Sequence, residues 1–122
     1  MRYIISLILI FAVSCSNNNP LLSRLDYIDS IMDANPQAAY DSLCAIKNTQ
    51  NIAPAKNVDM KWRMLMATAQ NKLYMQMPTD STFSEVVAYY DRNGSDNEKM
   101  QSRYLLGCIY RDMNDAPKAI EC

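Results

Sequence analysis

The chain has 122 residues, a formal net charge of −1, and 49% hydrophobic and 20% charged residues, which predicts one domain with a modest core and no electrostatic footprint for nucleic acid. Only 2 Gly among many Leu, Met, Ala and Gln favour helix over sheet. Histidine is absent, which removes the commonest general base and the commonest zinc ligand together.

At the N-terminus, Arg2 precedes an uncharged apolar run over residues 4–13. That run is too short to span a bilayer, which needs about 20 residues. It has the length of the h-region of a secretory signal peptide. The run ends in Ala12-Val13-Ser14-Cys15, and Ser16 and three Asn follow. This pattern resembles the lipobox of bacterial lipoproteins, with Ala12 standing where Leu is usual. The resemblance implies cleavage after residue 14 and lipidation of Cys15. Residues 15–19 would be the lipidated cysteine and a flexible tether, because Ser and Asn favour turns over packed structure. Several acyl chains would hold the protein firmly, at about 0.8 kcal/mol per buried CH₂. The plainer reading is an ordinary signal peptide with Cys15 as a free thiol. The location implied is the bacterial cell envelope, lipid-anchored in the outer membrane and facing the periplasm.

Six helices are predicted from there on. Leu21, Leu22, Leu25, Ile28, Ile31 and Met32 recur at helical spacing. Asn35-Pro36 breaks that helix and begins the next, on which Ala39, Leu43 and Ile46 share a face with Tyr40 and Cys44 beside it. Residues 48–56 read as a loop. A longer helix is predicted over residues 58–77, carrying Trp62, Leu65, Met66, Ala69, Leu73 and Met77 and stopped by Pro78. Asp80 or Ser81 would cap the fourth helix, which holds Phe83, Val86, Val87, Tyr89 and Tyr90. Asn93-Gly94 would end it in a left-handed cap. Ser95 or Asp96 would start a fifth helix running to about residue 113, and a sixth would begin after Asn114-Asp115. The fold class predicted is all-α, a stack of antiparallel helical hairpins with short turns.

The window RYLLGCIYRDMNDAPKAIEC, residues 103–122, resembles the tetratricopeptide repeat, whose first helix reads W-x₂-L-G-x₂-Y with a small Ala in the second. Leu106, Gly107 and Tyr110 match, Arg103 replaces the Trp, and Ala119 follows Gly107 by the family's twelve residues. Gly107 and Ala119 would let two helices approach closely, while Leu106 and Tyr110 fill the space around them. A weaker copy pairs Tyr27 with Ala39 at the same spacing, and Leu43 takes the family's downstream aromatic position. The central hairpin, residues 62–90, is a poorer match. The resemblance covers residues 20–122 and implies an α-solenoid; a generic helical bundle is the alternative. The last repeat stops one position short of the family's second-helix aromatic, so the chain is expected to be a truncated or partial product, because a solenoid needs a polar terminal cap.

Other clusters have ordinary structural readings. Cys44 and Cys108 could bridge in an oxidising envelope, but both adjoin core positions and read as structural thiols. Met60, Met64, Met66, Met75 and Met77 could offer soft ligands to Cu(I), yet Met at helical spacing is usually core filler. Asp26, Asp29 and Asp33 lack the alternating ligands and Gly of a calcium loop and read as a solvated face. Trp62 is expected to anchor the core, and Tyr89-Tyr90 to divide between core and groove. No nucleophile elbow or phosphate-cradling Gly loop is present.

The function implied is a membrane-tethered, non-catalytic scaffold without a cofactor, presenting a groove on the first helices of each hairpin to a partner protein or peptide. Lys61, Gln70, Arg103 and Tyr104 are the candidate groove residues. The alternative is the N-terminal sensor part of a longer signalling or transcription-regulatory membrane protein; an enzyme would need a constellation the sequence lacks.

Overall fold

The computed structural model describes residues 19–113, among which there are five helices and no strand. They are α1 (Pro20–Ile31), α2 (Pro36–Thr49), α3 (Lys56–Lys72), α4 (Asp80–Asn93) and α5 (Asp96–Asp112). Cys15, Ala119 and the predicted sixth helix lie outside the described residues.

Helix starts follow local chemistry. Asn19 and Asn35 each precede a Pro at the first helical turn, and each side-chain oxygen accepts from a backbone amide, of Leu21 at 2.9 Å and of Ala38 at 3.1 Å. The amide satisfies an orphan donor while Pro sets φ for the first turn. Ser95 and Glu98 form a reciprocal capping box on α5. On α4 the cap is Thr79, one residue before the predicted Asp80 or Ser81; its hydroxyl accepts from the Thr82 amide.

The expected loop over 48–56 is shorter, because α2 runs to Thr49 and α3 begins at Lys56, and two helix ends differ more sharply from expectation. α3 stops at Lys72, five residues short of Met77. Tyr74 adopts φ 57°, its amide donates to the Asn71 carbonyl, and the Met75 amide donates to the Gln70 carbonyl at 2.8 Å. These paired bonds are a Schellman termination, usually built on Gly. Hydrophobic spacing continues to Met77, which is buried all the same, because the chain turns and returns it to the core. At Gly94 the backbone is extended, with φ −93° and ψ 162°, so the expected left-handed cap is absent. Glycine is needed there for space instead: a Cβ would lie 2.7 Å from the Tyr90 carbonyl oxygen.

The packing is sequential, with α3 at its centre. α3 contacts all four other helices, α1 pairs with α2, and α4 pairs with α5, whereas α1 does not touch α5 and α2 does not touch α4. Two separate cores result. Val58, Trp62, Leu65, Met66 and Ala69 of α3 join Leu25, Ile28, Met32, Ala39, Leu43 and Ile46. Met60, Met64 and Ala67 face the other way and join Phe83, Val86, Tyr90, Leu105 and Ile109. A helix apolar on two opposite faces is one buried from both sides. Each large side chain so buried contributes about 1.5–3 kcal/mol.

The repeat-packing residues are placed unevenly. Ala39 and Leu43 are fully buried, Gly107 is buried, and Leu106 and Tyr110 are half-buried. Tyr27, paired with Ala39 by spacing, is instead 65% exposed. Leu25 and Ile28 take the inward positions of α1, since a residue two after Leu25 is turned by about 200° from it.

Candidate interaction site

The two cores leave α3 with two uncovered sides. One faces between α1 and α5 and carries Lys61, Thr68 and Lys72, whose spacings of seven and four keep them on one line. Lys61 pairs with Asp26 of α1 and Lys72 with Asp33 in the α1–α2 connection, so two of the three aspartates at 26, 29 and 33 brace α3 against the first hairpin. Such exposed pairs stabilise by about 0–1 kcal/mol each. Gln101 of α5 donates to the Thr68 hydroxyl at 3.5 Å, and Arg111 of α5 donates to the Asn71 side-chain oxygen at 3.2 Å. At the end of this side Tyr104, Tyr74, Met75 and Arg111 surround a hollow of about 670 Å³. Tyr104 is 60% exposed and Tyr74 97%.

The other side faces between α2 and α4. There Lys47, Trp62, Met66, Gln70 and Phe83 line a cavity of about 480 Å³. The indole of Trp62 donates to the Leu43 carbonyl at 2.9 Å, which fixes its ring across the cavity wall, and the Lys47 ammonium stands 5.0 Å from the ring centroid. At the rim Arg63 contacts Asp59 and Glu85, and Lys56 also reaches Glu85. The hydrogen bonds from Lys56 and then Arg63 hold the Glu85 carboxyl below its ordinary range. The side-chain oxygen of Gln70 is buried and accepts no hydrogen bond from the described residues.

The four predicted groove residues therefore do not share one surface. Lys61 and Gln70 are nine residues apart, about two and a half turns, and point to opposite sides of α3. Tyr104 belongs to the α1–α3–α5 side. Arg103 turns back to Asp91 of α4, at 2.6 Å. Lys47 carries no local sequence signature, because only the α2–α3 crossing brings it to Trp62. Tyr74 carries none either, since its exposure follows from the early end of α3.

The remaining clusters lie in or beside the two cores. Cys44 and Cys108 are free thiols, each beside a different core, so they do not meet. Tyr40 titrates above its ordinary value, first through its hydrogen bond with Cys44. Met60, Met64, Met66 and Met77 are buried in the cores. Tyr90 is buried, its neighbour Tyr89 is half-buried, and their rings meet edge-on at 5.1 Å. Among the described residues no group of three His, Cys, Asp or Glu is placed to hold a metal, and no helix is long and apolar enough to cross a membrane. In comparison with known proteins, the chain matches no family model, no curated protein and no solved structure.

Proposed function

We propose that the chain is a tetratricopeptide-like helical-repeat scaffold, non-catalytic, held in the bacterial cell envelope by a lipid on Cys15 and engaging a protein or peptide partner through the α1–α3–α5 side. The observation that supports this most is the contact order. Alternate helices α1, α3 and α5 adjoin in a row, while α2 and α4 each fill the angle between successive members of it. A stack of αα-hairpins has this connectivity, and repeat scaffolds use the row of first helices to bind partners. Exposed Tyr104 and Tyr74 add aromatic area of the kind enriched at interfaces.

The anchor and the surface are tested separately. In a bacterial host, fatty-acid labelling of the full chain should be lost in Cys15→Ser; persistence of label would reject the anchor. A photo-crosslinking residue at position 104 should trap a discrete partner, and one at position 84, exposed on α4, should not. Equal trapping at both positions, or none at 104, would reject the surface.

A further inference from the structure

The unpaired bases of the chain gather at one end of the fold. Among the described residues Arg24, Lys47, Arg92 and Lys99 have no carboxylate partner. Successive helices pack on each other across short connections and so run antiparallel. The starts of α1, α3 and α5 and the ends of α2 and α4 therefore lie at the end where residue 19 enters α1. Arg24 stands in the first half of α1, Lys47 in the last turn of α2, Arg92 in the last turn of α4 and Lys99 near the start of α5, so all four belong to that end. The helix dipole favours a cation in a last turn, which accounts for Lys47 and Arg92 but gives Arg24 and Lys99 nothing. In the first hairpin the acids are sorted the other way. Residues 19–25 and 42–58 hold Arg24, Lys47 and Lys56 and no Asp or Glu, whereas Asp29, Asp33 and Asp41 lie towards the opposite end. Arg24 also borders a hollow of about 390 Å³ with Ser23, Tyr27 and Ser42, whose hydroxyls are donors suited to phosphate oxygens.

We infer that this end of the first hairpin docks on an anionic phospholipid surface, with Arg24 and Lys47 over the headgroup phosphates. The inference rests on the lipid anchor at Cys15 proposed above, because the tether selects the occupant. Five residue steps separate Cys15 from Pro20, and even fully extended they span at most about 18 Å. Headgroups are thus within reach of Arg24 at all times, at an effective concentration that no free acidic partner matches. Each base held near an anionic surface favours docking about fivefold, and two together about thirtyfold. Docking also turns the far end outward. The 17 residues of α3 rise about 25 Å from the docked end, which carries the hollow of Tyr74, Tyr104 and Arg111 away from the membrane and leaves it open to a partner.

The full chain, made in a bacterial host, is bound to vesicles of equal parts phosphatidylcholine and phosphatidylglycerol, and to vesicles of phosphatidylcholine alone. A photo-crosslinking residue is placed at position 51 or 34. Both positions are exposed, 51 in the connection at the docked end and 34 in the connection at the far end. A phospholipid adduct is expected at 51 on the anionic vesicles and none at 34, and the adduct at 51 should fall on phosphatidylcholine alone. Arg24→Gln with Lys47→Gln should lower the docked-to-undocked ratio about thirtyfold. Arg24→Lys with Lys47→Arg should keep the adduct, both pairs with unchanged helical circular dichroism. Fatty-acid labelling reads the anchor separately: a chain without label rejects the anchor, and the adducts still decide the docking. The docking is overturned if 51 gives no lipid adduct on the anionic vesicles, or if 34 gives as much. It is also overturned if the adduct at 51 ignores the Gln pair or the removal of phosphatidylglycerol.

Discussion

Tyr74 and Gly94 exchange the roles that their residue types suggest. Tyr74 carries the left-handed conformation that terminates α3, and its ring is 97% exposed, so burial does not offset the strain. That conformation costs an L-residue about 1–2 kcal/mol, part of which glycine would return as backbone entropy. Tyr74→Gly should therefore raise stability by about 0.5–1 kcal/mol in urea denaturation. Gly94→Ala should lower it by about 1–3 kcal/mol in the same assay, because the new methyl would press on the Tyr90 carbonyl and ring. Neither outcome could be read from the sequence. Apolar spacing through Leu73 and Met77 runs straight across Tyr74, and Asn-Gly has the composition of a left-handed cap whatever its backbone does. Tyr90 gives a pH prediction. Burial, and then the charge of Glu98, raise its folded pKa above the ordinary value. Its contribution to stability is thus fully present below about pH 10, tyrosine's ordinary value, and is lost as pH rises past it towards the folded value. Urea midpoints should fall above about pH 10, and Tyr90→Phe should flatten that fall.

Among the elements, α1, α2 and α5 were legible nearly to the residue, because strong start signals coincide with clean periodicity: Asn-Pro on α2, Ser-x-x-Glu on α5. α3 was legible as a helix and as the site of Trp62, but not in its end or its orientation. Its apolar residues, Val58, Met60 and Trp62 between charged Asp59, Lys61 and Arg63 and then an unbroken run over 64–67, hide two stripes, and only the contacts of the other helices separate them. Helical arithmetic alone could have shown that Lys61 and Gln70 are opposed; what lies over each side required the fold. Trp62 ties α3 to α2 by a hydrogen bond as well as by area. Trp62→Phe keeps most of the apolar contact and leaves the Leu43 carbonyl buried without that donor. Because that carbonyl lies mid-helix and keeps its helical bond, the change should cost about 0.5–1.5 kcal/mol, measured by thermal unfolding followed by circular dichroism.

At the scale of the molecule, the two cores are joined only through one helix. Among the described residues neither α1–α2 nor α4–α5 has another apolar surface to bury against, so loss of α3 order would expose both cores at once. Amides of residues 60–69 should accordingly be the last to exchange with deuterium, and their exchange should follow the global unfolding free energy. Slower exchange in either flanking hairpin than in α3 would contradict this. The interleaving of the stripes also bears on how the chain can vary in length. Residues serving the first core span 58–69 and those serving the second span 60–67, so no peptide bond in α3 separates them. Removing one residue there turns everything beyond it by about 100° and misaligns both seams together. Around α3, insertions and deletions are thus confined to the connections at 50–55 and 73–79 that flank it, and α3 fixes the register between the two hairpins.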